Sequence, residues 1–270
     1  MKRLMIAAAV LLASACTPPA TEEEAVSTAE PALPGVTLPV ADQAGNRMEA
    51  LTQNGAAWCT GGATPGTELT RCVQSDNGEW QASFGGVATR IPVSGEGEVS
   101  GWPVVVSSTP DAPFYVGLVQ TEQQMYSGGG GSAARVTIYE VTPTDPGFSV
   151  APLVTLPLSG QATIRACFDA EDEAQRAGAC QDHYSFVTRI TLDESVTDGA
   201  PRFILETVAG SYPGRVTRNA DSLEAPPLTQ ADLVWARDPT CSFRRTYSRG
   251  ADGLYSPDQP LPACADYLEP

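Results

Sequence analysis

From residue 100 onward the chain is written in short apolar runs, each closed by turn-forming residues. Residues 102–108 (WPVVVSS) end in TPDAP, and residues 114–119 (FYVGLV) follow. Residues 134–141 (ARVTIYEV) alternate, with Val136 and Ile138 on one face. Residues 150–158 and 162–168 come next. Residues 184–192 (YSFVTRITL) put Tyr184, Phe186, Ile190 and Leu192 on one side, with Thr188 among them. TDGAP then turns the chain into residues 203–208 (FILETV). Runs this short, alternating and bounded by Gly and Pro, suit strands far better than helices. The pattern predicts a mainly β fold, an antiparallel β-sandwich or barrel-like domain with few short helices. Two helical stretches are expected. One spans residues 48–58. The other starts at Thr229, where a threonine followed three residues later by Asp232 suits an N-terminal cap. No fixed sequence period is present, which speaks against a propeller.

The N-terminus has a different grammar. Lys2 and Arg3 precede a nine-residue apolar run, residues 4–12, and small residues 13–15 stand before Cys16. That is the layout of a secretory signal, residues 1–15, with an apolar run too short to span a bilayer. Residues 13–16 (ASAC) resemble the bacterial lipobox, although Ala13 stands where that motif most often has leucine. The resemblance implies cleavage before Cys16 and a diacylglyceryl group on its sulfur. Ordinary signal cleavage with an unmodified Cys16 is the alternative. By the same resemblance, Thr17 in place of an aspartate implies delivery to the outer membrane. Residues 16–34 are rich in Pro, Thr and Glu and read as a disordered acidic tether. Residues 35–270 form the exported β-rich domain, as one unit or as two packed subdomains.

Seven cysteines is an odd number for an exported chain, and a lipid on Cys16 leaves six. In an oxidising compartment six thiols read as three disulfides. The equal gaps of Cys59 to Cys72 and of Cys167 to Cys180 favour local closure. The expected pairs are therefore Cys59–Cys72, Cys167–Cys180 and Cys241–Cys264.

Charge removes several function classes. The only lysine is Lys2, so a chain cleaved before Cys16 carries 14 arginines against 32 acids, a formal balance of −18. Nucleic-acid binding needs a basic face, and docking on anionic lipid needs the same. With no lysine beyond the signal there is no Schiff-base or Ser–Lys chemistry. His183 is the only histidine, so sites with several histidines are excluded.

Three local features invite a functional reading. Residues 127–132 (SGGGGS) lack the lysine and the following helix of phosphate-binding loops, and read as a flexible connection between strands. Residues 169–173 (DAEDE) space carboxylates as a calcium loop does, yet Ala174 and Cys180 stand where an EF-hand has glycine and glutamate. They read as an acidic loop pinned by a disulfide. Cys180 and His183, with Cys167, have zinc-ligand spacing, but an oxidising compartment favours the disulfide. His183 is expected to begin a strand and face solvent or a carboxylate. No catalytic, metal or cofactor residues are assigned.

The reading that follows is a lipid-anchored bacterial envelope protein, a non-enzymatic binding or accessory lipoprotein. Its expected partners are the membrane, through the anchor, and an envelope protein or glycan. Two alternatives stay open. One is a carboxylate-based envelope hydrolase. The other is a calcium-dependent carbohydrate or adhesion module.

Overall fold

A computed structural model describes residues 29–66 and 70–269. The signal segment, the lipidation site expected at Cys16 and the first part of the tether lie outside the described residues. The elements in chain order are β1 (Val40–Ala41), β2 (Arg47–Asn54), β3 (Ala57–Thr60), β4 (Arg71–Asp76), β5 (Glu79–Phe84), β6 (Val87–Arg90), β7 (Glu98–Ser107) and β8 (Phe114–Tyr126). There follow β9 (Gly129–Thr144), β10 (Gly147–Arg165), α1 (Ala170–Gln175), β11 (Gln181–Leu192), β12 (Phe203–Tyr212), β13 (Ala236–Arg237), β14 (Arg244–Arg249) and β15 (Tyr255–Pro257). The fold is mainly β, as the sequence pattern predicts. Every pairing is antiparallel, in the order β15-β14-β12-β11-β10-β9-β8-β7-β2-β3-β4-β5-β6, with β1 beside β2 and β13 beside β12.

The long apolar runs have a physical reason. Strands β7, β8 and β9 are buried on both faces, so alternate residues enter different cores. Val104 and Val106 join one core with Tyr115, Val136, Ile138, Leu192 and Phe203. Val105 joins the other with Phe114, Val116, Val141 and Val73. A strand with two buried faces reads as a continuous apolar run. Full burial of each such side chain stabilises the fold by about 1.5–3 kcal/mol.

The same arrangement corrects the helix expected over residues 48–58. Met48 is buried in the first core and Leu51 in the second. Their spacing of three looks helical, but the two side chains leave opposite faces of β2. The helix expected after Thr229 is a single 3-10 turn, Gln230–Asp232. Its cap works through the Asp232 carboxylate, which accepts from the Thr229 amide at 2.7 Å and hydroxyl at 2.8 Å.

Residues 150–158 and 162–168, expected as separate runs, belong largely to one strand. β10 shifts register near Pro152 and Pro157 and resumes pairing at Ser159, where β11 joins its second edge. Proline lacks an N–H, so it is tolerated at bulges and on edges without a partner.

Three disulfides join Cys59 to Cys72, Cys167 to Cys180 and Cys241 to Cys264. The last one carries the C-terminal segment back over the sheet. Tyr267 packs 6.1 Å from Phe186 and 6.4 Å from Tyr184, ring centre to ring centre. At the other end, residues 31–34, expected to belong to a disordered tether, are docked. Pro31 sits against Gly210, and the Pro34 carbonyl accepts from Arg189 at 3.3 Å.

Candidate functional site

The three stretches singled out in the sequence meet at one place. An open cleft of about 810 Å³ is lined by the start of the glycine run, the disulfide loop and the strand carrying His183. Strand register explains the meeting. Met125 pairs with Gly130, Gly130 with Thr163, Thr163 with His183, and His183 with Tyr212. These five residues form one rung across β8 to β12, and residues of one rung share a face. The rung continues into Trp235, whose ring centre is 6.0 Å from that of Tyr212, as is the His183 ring on the other side.

The glycines are not a flexible connection. Tyr126 pairs with Gly129 across a two-residue turn, and Gly129, Gly130 and Gly131 are hydrogen-bonded into β9 between β8 and β10. A Cβ on Gly129 would stand 1.9 Å from the Thr163 carbonyl oxygen, so glycine is required by close approach of backbones. Gly129→Ala is expected to destabilise the protein by about 2–3 kcal/mol, within the range for overpacking a filled site. Thermal melts of the variant beside the wild type check this, and an unchanged midpoint would refute it.

One wall comes from the loop closed by Cys167–Cys180. It is not a plain acidic loop. Asp169 caps α1 by accepting from the amides of Glu171 at 2.9 Å and Asp172 at 3.0 Å. The Asp172 carboxylate accepts from the Phe168 amide at 2.8 Å. Acids in the first turn suit the positive end of a helix. Two of the carboxylates are thus committed to the helix end rather than gathered for a cation, and among the described residues no three His, Cys, Asp or Glu converge on a metal position. Cys167 and Cys180 are bonded to each other, which leaves neither sulfur as a zinc ligand.

The wall is held from below by a buried ion pair, Arg176 with Asp182. Arg176 also donates to the carbonyls of Ala179 at 2.9 Å and Ser222 at 3.4 Å. Burial pushes the Asp182 carboxyl up, against the pull of Ser222 and Arg176. Asp182 and His183 are neighbours on a strand and therefore leave opposite faces, so the acid goes into the protein and the imidazole into the cleft.

Around the rung stand two residues the sequence did not single out. Arg165 donates through Nε to the Cys167 carbonyl at 2.7 Å, and its guanidinium carbon lies 4.9 Å from the Phe168 ring centre. Phe168 is 63% exposed, unusual for its type. His183 meets a hydroxyl, Thr163 Oγ1, at 3.3 Å. Among the described residues no carboxylate hydrogen-bonds its ring, so no acid backs it as in a Ser–His–Asp triad. The two acids lining the cleft, Asp169 and Glu173, come from one short helix and share a wall. Glycoside hydrolysis needs carboxylates flanking the bond from both sides.

The arrangement offers ring faces, a guanidinium, a carboxylate and an amide around an open floor. Compared with protein-family models, with curated proteins and with solved structures, the chain matches none.

Proposed function

We propose that the chain is a lipid-anchored bacterial protein of the outer membrane which binds a ligand without transforming it. The observation that carries this reading is the cleft itself, whose volume of about 810 Å³ falls in the range of ligand sites. It gathers aromatic faces with a few convergent polar groups and presents no nucleophile backed by a base and an acid. The lipobox-like residues 13–16 supply the anchor. The docked N-terminal segment supports the same picture. Pro31 lies against Gly210, two residues from Tyr212, so the start of the described chain lies near the cleft. Pro31 is fifteen residue steps beyond Cys16, which limits the reach between them to about 50 Å when fully extended.

Two measurements test the reading. The intact mass of protein from membranes should show an acylated Cys16, and Cys16→Ser should be released to the soluble fraction. Added to isolated envelope material, the unanchored Cys16→Ser protein should bind through the cleft, and Phe168→Ala in that background should lose at least about tenfold in affinity, or 1.4 kcal/mol. An unmodified Cys16 in the wild type would sink the anchor. Equal sedimentation of the unanchored protein with and without Phe168→Ala would sink the cleft as the binding site.

A further inference from the structure

Building on that cleft reading, we infer that the ligand is an uncharged saccharide. A sugar ring presents a C–H face that stacks on aromatic rings and an edge of hydroxyls that both donate and accept. The cleft answers each of these. Its floor offers His183 and Tyr212, with Phe168 on the rim. Around the floor stand three planar polar groups of complementary character: the Glu173 carboxylate, the Arg165 guanidinium and the Gln181 amide.

Their side chains are poorly used inside the protein. Among the described residues the Glu173 carboxylate and the Gln181 amide make no hydrogen bond, and Arg165 uses only Nε. Arg165 and Glu173 line the same cleft and form no ion pair with each other. Separated groups of opposite polarity around an aromatic floor suit vicinal hydroxyls, which accept from one and donate to the other.

Charge selects among sugars and against peptides. Asp169 and Glu173 line the cleft, and Glu171 and Asp172 lie between them in sequence, against the one guanidinium of Arg165 in the lining. An anionic sugar is repelled by this wall. A cationic peptide is attracted by it, but the most exposed ring, Phe168, already carries the Arg165 cation. A neutral ring meets neither obstacle.

The test is calorimetric titration of the domain with neutral disaccharides and trisaccharides of glucose, galactose, mannose and N-acetylglucosamine, with penta-lysine and oligogalacturonate as charged probes. At least one neutral sugar should bind with Kd of about 10 μM to 1 mM. Tyr212→Ala and Glu173→Gln should each weaken it at least about tenfold. Raising NaCl from about 0.05 to 0.5 M should change the affinity less than about twofold, because uncharged ligands escape screening. Phe168→Ala and Gln181→Ala, both at exposed positions, guard against loss of fold in Tyr212→Ala. No binding by any neutral sugar at about 10 mM would overturn the inference. So would binding that the four variants leave unchanged. Salt-sensitive binding of a charged probe, lost in Glu173→Gln or Phe168→Ala, would overturn the saccharide and leave the cleft standing as a binding site. Failure of every probe, together with envelope sedimentation that ignores Phe168→Ala, would remove both.

Discussion

Asp182→Ala is expected to cost about 3–5 kcal/mol of stability. Asp182 is 1% exposed and its partner Arg176 is 3% exposed. Removing the carboxylate strands a guanidinium that has no route to water and keeps only two carbonyl partners. The pair is therefore far costlier to break than to replace. The double variant Arg176→Met, Asp182→Leu should recover most of the loss, because it removes both charges and keeps the volume. Urea unfolding of the three proteins measures this. A double variant no more stable than Asp182→Ala would show that the pair matters for more than mutual compensation. The loss should also reach the cleft. Arg176 closes α1, and α1 is further held by the Leu228 amide on the Gln175 carbonyl at 2.7 Å.

Alkaline pH should unfold the protein steeply above about pH 10. Burial pushes the phenols of Tyr115, Tyr139, Tyr184, Tyr247, Tyr255 and Tyr267 up, Tyr115 to about 12. In the unfolded chain a phenol loses its proton near pH 10, whereas these six keep theirs. Above that pH the folded state binds more protons than the unfolded one, so stability falls as pH rises. Below it both states are protonated and the contribution is intact. A phenol that keeps its proton throughout costs about 1.4 kcal/mol per pH unit in that window, and the most strongly raised phenols, Tyr115, Tyr184, Tyr255 and Tyr267, carry most of the loss against the marginal stability of a domain. Denaturation at pH 8, 10 and 11.5, followed by tyrosinate absorbance, decides it. Flat stability across that range, or a tyrosinate signal before unfolding larger than the exposed Tyr126 and half-buried Tyr212 can supply, would contradict the argument.

Much of the fold was legible because alternation and turn chemistry are local. β7, β8, β9, β11 and β12 fall on the runs the sequence displays, and the cysteine pairs follow the shortest closures. The misreadings share a cause outside the local sequence. Met48 and Leu51 imitate a helix because the protein has two cores for one strand to serve. The glycine run imitates a loose linker because its requirement is a neighbouring backbone, Thr163, more than thirty residues away. α1 did leave a signal: Asp169 followed by three acids within the next four residues is an N-terminal cap with a charged first turn. The cleft was half visible. His183 and the acidic loop were noted one by one, but Tyr212 joins them only through strand register, which no local pattern encodes.

The shared wall of β7, β8 and β9 also bears on how the chain can be divided. Val104 and Val105 are sequence neighbours that serve different cores. A cut between residues 107 and 114 strips both cores of part of their common partition. Neither fragment then keeps a complete interior, so the halves cannot be inherited, swapped or expressed as separate parts. Insertions belong at the outer ends of the sheet path, near β6 or β15. Any lineage that enlarges this protein is expected to have grown it there and left the partition unbroken.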